Sequence, residues 1–266
     1  MKIFISADIE GIAGITDANE TNPDRPEYAP FRELMNLEVV AACEGANAAG
    51  ATEILVKDAH WHGRNLDPRR LPANARLHRG WSGNPQSMMD GLDASFDAAL
   101  CVGYHSRAGS IGNPLSHTTS GTRIQELRIN GTPASEFLVN SFTAAMHGVP
   151  VVFLSGDAAL CRESKARLPH LTTVEPMEGR GSATISIQPQ VSCERIRTGV
   201  TAALAGKLKS RHVPNPPEYR IEVECKWPHL AYGKTFYPGV RLDGDRVLRF
   251  ESNDWFEVLR MFAFVL

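Results

Sequence analysis

A chain of 266 residues with 42% hydrophobic content can bury the core of one large domain or two modest ones, and 22 Gly with 17 Pro keep it outside the collagen-like and low-complexity classes. A formal net charge of −2, without a block of five or more like charges, excludes a nucleic-acid binder that works by neutralising phosphates. Five widely spaced cysteines (Cys43, Cys101, Cys161, Cys193 and Cys225) contain no CxxC pair, so they read as reduced thiols of a cytoplasmic protein rather than a disulfide framework or a zinc knuckle.

The first expected element is a strand over residues 2–7, whose apolar run is cut by Asp8 and Glu10 and is too short for the core of a signal peptide. Residues 29–50 carry Phe31, Leu34, Met35, Leu37, Val40 and Ala41 at helical spacing and stop at Gly50. A crossover of that length joins the first strand to a second over 53–57 and implies parallel pairing. Further strands are expected over 98–103 and 127–130. Residues 137–156 contain no Asp, Glu, Lys or Arg, which is long enough for a membrane helix. His147, Gly148 and Pro150 break that run, giving a helix near 134–147 and a buried strand near 151–155, and no membrane partner.

Beyond about residue 180 the texture changes. A strand over 183–188 and a helix over 191–209 precede a break at Pro214, Pro216 and Pro217 and another strand over 219–225. Residues 255–266, with Phe256, Leu259, Met261, Phe262 and Val265, are too apolar for a solvated tail and read as a docked helix or a subunit contact. The expected fold class is α/β: a three-layer α/β/α domain with a mainly parallel sheet over 1–180, and a smaller C-terminal α+β part over 181–266 that serves packing and assembly.

Chemistry-bearing residues recur where the strands end. Asp8 and Glu10 follow the first strand, and strand alternation would put both carboxylates on one face of a sheet edge where α/β proteins bind ligands. The second strand runs into Asp58, His60 and His62, with Asp58 placed to orient His60. The third exits into His105, and His117 follows in a polar, glycine-interrupted loop. Glu136 opens the helix after the Asn130-Gly131 turn, a position an acid also takes simply to face the helix dipole. A mixed imidazole and carboxylate set without cysteine suits zinc or manganese in an open hydrolytic site. There is no Walker A loop, GxGxxG or GxSxG, and Cys101 and Cys161 lie in apolar segments, which leaves nucleotide binding and serine or thiol nucleophiles without support.

Ser6-Ala-Asp8-Ile-Glu10-Gly-Ile-Ala-Gly14, Asp58-Ala-His60, Gly103-Tyr-His105-Ser-Arg-Ala108, Leu115-Ser-His117 and Pro133-Ala-Ser-Glu136 together resemble the zinc-dependent D-aminopeptidase family of the dipeptide-transport type. The resemblance is dense over residues 1–160 and thin beyond about 180. It implies two zinc ions per subunit, with Asp8 bridging both, Glu10 and His105 completing one site, and His60 and Glu136 completing the other. His117 falls on the family's catalytic histidine. The resemblance also implies cleavage of N-terminal D-residues from short peptides and amides, and assembly into a ring-shaped homodecamer. Two alternatives use similar residues. A two-metal phosphoesterase would need cations at the site, for which Arg107 and Arg123 are the loop candidates; a non-catalytic peptide-binding component of dipeptide transport would need none.

Overall fold

β1 (Lys2–Ala7) shows why the larger sheet forms: Ile3, Phe4 and Ile5 are buried in succession, which requires cover on both faces, as a central parallel strand has. In the computed structural model, which describes residues 1–266, α1 (Ala18–Thr21) and α2 (Tyr28–Ala48) lead from β1 to β2 (Glu53–Asp58), parallel to β1 with Ala7 opposite Asp58. β3 (Ala75–His78) extends that edge, and β4 (Ala98–Tyr104) pairs on the other side of β1 with Val102 opposite Ala7. The chain then leaves to begin a second sheet with β5 (Ile124–Ile129) and β6 (Thr132–Pro133). It returns through α3 (Glu136–Met146) to β7 (Val151–Asp157), α4 (Ala158–Arg167), β8 (Thr172–Arg180) and β9 (Ala183–Ser186). The seven-stranded order is β3-β2-β1-β4-β7-β8-β9, parallel except for the β8–β9 hairpin.

Helix α5 (Pro189–Ala203) packs beside α2 on one face of this sheet, around Ile3, Ile5, Val39, Ile196 and Val200. The opposite face buries Phe4, Cys101 and Tyr104 under Phe137 of α3 and Leu160 of α4, which completes the three layers. β10 (Tyr219–Cys225), α6 (Pro228–Tyr232), β11 (Arg241–Asp243), β12 (Val247–Ser252) and α7 (Trp255–Val265) complete the smaller unit. Its sheet, ordered β11-β12-β10-β5-β6, is antiparallel throughout. α3 serves both units, with Phe137 and Ala144 against the large sheet and Leu138, Phe142 and Met146 against the core of the small one.

The crossover helix, the helix–strand pair across Gly148 and the docked C-terminal helix stand where the residue pattern puts them. The helix expected over 191–209 ends at Ala203, before Gly206 takes a left-handed φ of +84. β8 was not anticipated, because Pro176 interrupts its apolar pattern at the side of the sheet where only a hairpin follows. The division expected near residue 180 falls at that hairpin, inside the large sheet; α5 stays with α2, while β5 and β6 belong to the small sheet. All five cysteines are free, four of them buried, and no helix is long and apolar enough to cross a membrane.

Candidate active site

Because β1, β2 and β4 are adjacent and parallel, their C-terminal ends open on one edge, and the residues after each strand meet there. The turn after β1 is held against β4 by Asp8 N donating to Val102 O at 2.8 Å and Gly11 N donating to Gly103 O at 2.9 Å. Only glycine fits at residue 11, where a Cβ would lie 1.8 Å from Tyr104 O. β1 ends at Ala7, so Asp8 and Glu10 converge through this turn rather than through strand alternation. His60 Nδ1 lies 3.2 Å from Asp8 Oδ1 and 3.1 Å from Glu10 Oε2. Its Nε2–H donates to Thr21 O at 2.8 Å, which aims Nδ1 at the two carboxylates.

On the other side of Asp8, His105 Nε2 stands 3.5 Å from Asp8 Oδ2 and 3.5 Å from Glu136 Oε2. The Nδ1–H of His105 donates to Ser106 O at 3.0 Å. Ser106 is in turn fixed by Asp157, the N-cap of α4, which accepts from Ser106 N and Ser106 Oγ. Glu136 begins α3, whose N-cap Ser135 Oγ accepts from Leu138 N, and its Oε1 accepts from Thr119 N at 2.7 Å. The His117 ring stacks on that of His105 with centroids 4.2 Å apart, and its Nε2 lies 3.7 Å from Glu136 Oε1. The Nδ1–H of His117 donates to Leu115 O at 2.9 Å, leaving Nε2 turned toward the cleft.

The six residues singled out for the site are therefore together. His60 faces Glu10 and Asp8, while His105 faces Glu136 and Asp8. The register explains this: the turn after β1 bends Glu10 toward the β2 exit, and α3 brings Glu136 in over the β4 exit. Asp58 does not touch the His60 ring. It accepts from Asn65 N, Leu66 N and Asn65 Nδ2, and Asn65 Nδ2 also donates to His60 O, so Asp58 acts through the loop. His62 sits outside the cluster, accepting from Trp61 Nε1.

Burial and the neighbouring Glu10 push the Asp8 carboxyl up to about 7. Burial acts the same way on Glu10, but His60, His105 and His117 outweigh it and hold Glu10 well below the usual carboxylate range. Burial opposes a proton on His60 and on His105, yet the carboxylates beside them keep both imidazoles well above their ordinary value. Three carboxylates and two imidazoles gathered out of water balance their charge only by holding protons between them, and a set of this kind offers a cation its ligands in place of those protons. Two buried atoms aimed into the cluster, Glu10 Oε2 and His105 Nε2, have no hydrogen-bond partner. The ligand atoms fall into two groups, Asp8 with Glu10 and His60, and His105 with His117 and Glu136, each lying within 4.8 Å of one another. Oxygen and imidazole donors with these orphaned atoms fit zinc or manganese.

The cluster forms the floor of a cleft of about 1010 Å³, large enough for a short peptide. Its walls carry residues that the sequence did not single out: Trp61, Trp81 and Asp90 on one side, Asn140 on α3, and Lys226, Leu259 and Phe262 from the small sheet and α7. Trp61, Ser87 and Thr119 all line this cleft and are three of the four non-glycine residues with positive φ. Arg107 and Arg123 do not line it; Arg107 lies 3.7 Å from Glu163 instead.

The sequence model of a family described as D-aminopeptidase matches residues 1–264. A D-aminopeptidase of Bacillus subtilis (strain 168) is 29% identical over 259 residues, covering 97% of this chain and 93% of that protein. A solved structure described as the Zn-dependent D-aminopeptidase DppA from Bacillus subtilis, a self-compartmentalizing protease, superposes with a TM-score of 0.91 at 27% identity, covering 98% of this chain and 95% of that one.

Proposed function

The chain belongs to the D-aminopeptidase family and is a hydrolase acting on peptide bonds, and from that premise we propose that it removes N-terminal D-amino acids from short peptides and amino acid amides with two zinc ions. The observation that carries this reading is the gathering of Asp8, Glu10, His60, His105 and Glu136 into one cluster under the cleft, with Glu10 Oε2 and His105 Nε2 buried and without a hydrogen-bond partner. Asp8 has one oxygen toward each half of the cluster and is the shared ligand; Glu10 and His60 complete one half, and His105 and Glu136 the other. When bound, the ions polarise the scissile carbonyl and lower the pKa of water.

The rest of the work falls to the chain. Thr21 O and Ser106 O fix the donor nitrogens of His60 and His105, so neither ring must reorganise when substrate arrives. His117, held by Leu115 O through Nδ1–H, carries the proton at Nε2 to or from the scissile amide nitrogen. The partner is a second copy of the chain, assembled as a ring-shaped homodecamer. Phe264 on α7, with Trp227, Tyr232 and Phe236 around α6, leaves large apolar side chains exposed on the small unit, where such an interface would bury them. Five free cysteines agree with action in the cytoplasm.

The test is metal content measured beside turnover of D- and L-alaninamide. Two zinc ions per chain, alanine released from the D-form and activity lost to chelator and restored by zinc are expected. Zinc-loaded protein that releases nothing from either enantiomer would end this reading.

A further inference from the structure

Lys226 follows directly on β10 and reaches the cleft from the small sheet. Its backbone N donates to Arg123 O at 2.8 Å, and its Nζ donates to Gly121 O at 2.5 Å. Gly121 packs under His117: a Cβ at residue 121 would lie 3.5 Å from His117 Cβ and 3.7 Å from Cγ. The ammonium is thus held one residue away from the histidine that faces the scissile bond. Of the residues lining the cleft, Asp8, Glu10, Asp90 and Glu136 are acids, and Lys226 is the sole Lys or Arg.

A short peptide brings one charge of each sign. Bound ions take up the charge of Asp8, Glu10 and Glu136, which leaves Lys226 as the one cationic side chain on the lining for a carboxylate beyond the scissile bond. In a dipeptide that group stands one residue past the scissile bond, where successive Cα atoms are about 3.8 Å apart. A four-carbon stem anchored beside His117 can follow it over that range. We infer that Lys226 receives the substrate's C-terminal carboxylate and is the specificity-determining residue that favours dipeptides over amides. The assignment rests on the aminopeptidase reading above.

The experiment compares kcat and KM of the zinc-loaded full-length protein for D-alanyl-glycine, which has a carboxylate, and D-alaninamide, which has none. Loss of a charge-assisted hydrogen bond in Lys226→Met raises the KM ratio, dipeptide over amide, by roughly tenfold or more. Lys226→Glu raises it further, and Lys226→Arg keeps it near the wild-type value. In the wild-type protein added salt raises the dipeptide KM and spares that of the amide, a readout that requires no variant to fold. A ratio that is unmoved by salt, or a parallel change of both substrates in Lys226→Met, would overturn the assignment and reduce Lys226 to a tie on the Gly121 loop. Absence of turnover on both substrates in the wild type would strike the aminopeptidase reading itself.

Discussion

The two sheets hold their charges differently. Every buried Asp, Glu, His and Lys belongs to the large sheet, its loops or the helices α2 and α3, whereas the small sheet with α6 and α7 closes over a core with no such group. β10 and β12 alternate buried and more exposed residues, as antiparallel strands with one wet face do; β4 and β7 are buried along their full length. A doubly covered parallel sheet can fix ionisable groups where its strands end, because the backbone there is rigid and dry. The small unit contributes shape and one cation, Lys226, rather than ligands. Chemistry and enclosure are therefore separable, and variants in the two regions should fail in different ways.

The sharpest break is Asp8→Asn. It removes the anionic ligand that faces both halves of the cluster, so both ions should be lost together and activity with them, while the apolar core around β1 keeps the fold. Metal analysis beside a melting curve checks this; retention of two ions would refute the shared role. His117→Ala separates proton transfer from metal binding. Turnover should drop by about 10²–10⁴-fold, the usual contribution of a positioned acid–base group, with two ions still bound. Loss of one ion in that variant would place His117 among the ligands, a role its proximity to His105 and Glu136 also allows.

The site was legible where local sequence sets position. A buried strand followed by polar residues says where Asp8, His60 and His105 lie, since adjacent parallel strands must end on the same edge. The pairing of Glu10 with His60 was not legible, because it depends on how one turn bends between two equally near strands. Lys226 was invisible for a different reason. It reaches the Gly121 loop beside His117 because β10 pairs with β5, Cys225 opposite Ile124, a long-range register that no local periodicity encodes. The small sheet was placed after residue 181, yet it borrows β5 and β6 from the middle of the chain, since an antiparallel sheet can recruit a hairpin from any distance.

Trp255→Ala tests the enclosing unit. The indole is buried between Phe142 and Tyr219, with ring centroids 5.0 and 4.7 Å away, and its Nε1–H donates to Thr143 Oγ1 at 3.0 Å on α3. Truncating it should cost about 3–5 kcal/mol of stability. Because α3 carries Glu136, zinc affinity should weaken as well, while the spectrum of the large sheet persists below the transition. A melting point unchanged by the substitution would show that α7 is not needed to hold the small core together.

The smallest expected effect lies in the helical layer over the large sheet and depends on pH. Glu38 on α2 is buried without a cation; its Oε1 accepts from Ala13 N at 3.0 Å and Ser192 Oγ at 2.7 Å, and Oε2 has no partner. Burial outweighs those two hydrogen bonds and pushes the carboxyl up to about 7 from 4.5. A carboxyl that binds its proton more tightly when folded contributes stability that is complete below about pH 4.5 and is lost as pH rises through about 7. Glu38→Gln keeps an oxygen for Ala13 and Ser192 and cannot ionise. Its unfolding free energy relative to wild type should therefore climb between pH 5 and pH 8, by up to about 3 kcal/mol at 1.36 kcal/mol per pKa unit. Denaturant titrations of both proteins at each pH give that difference directly, with the titration of the metal ligands cancelling between them. A flat difference would mean that Glu38 is ionised in the fold and that the junction of α2, α5 and the Asp8 turn holds a charge the surrounding residues do not balance.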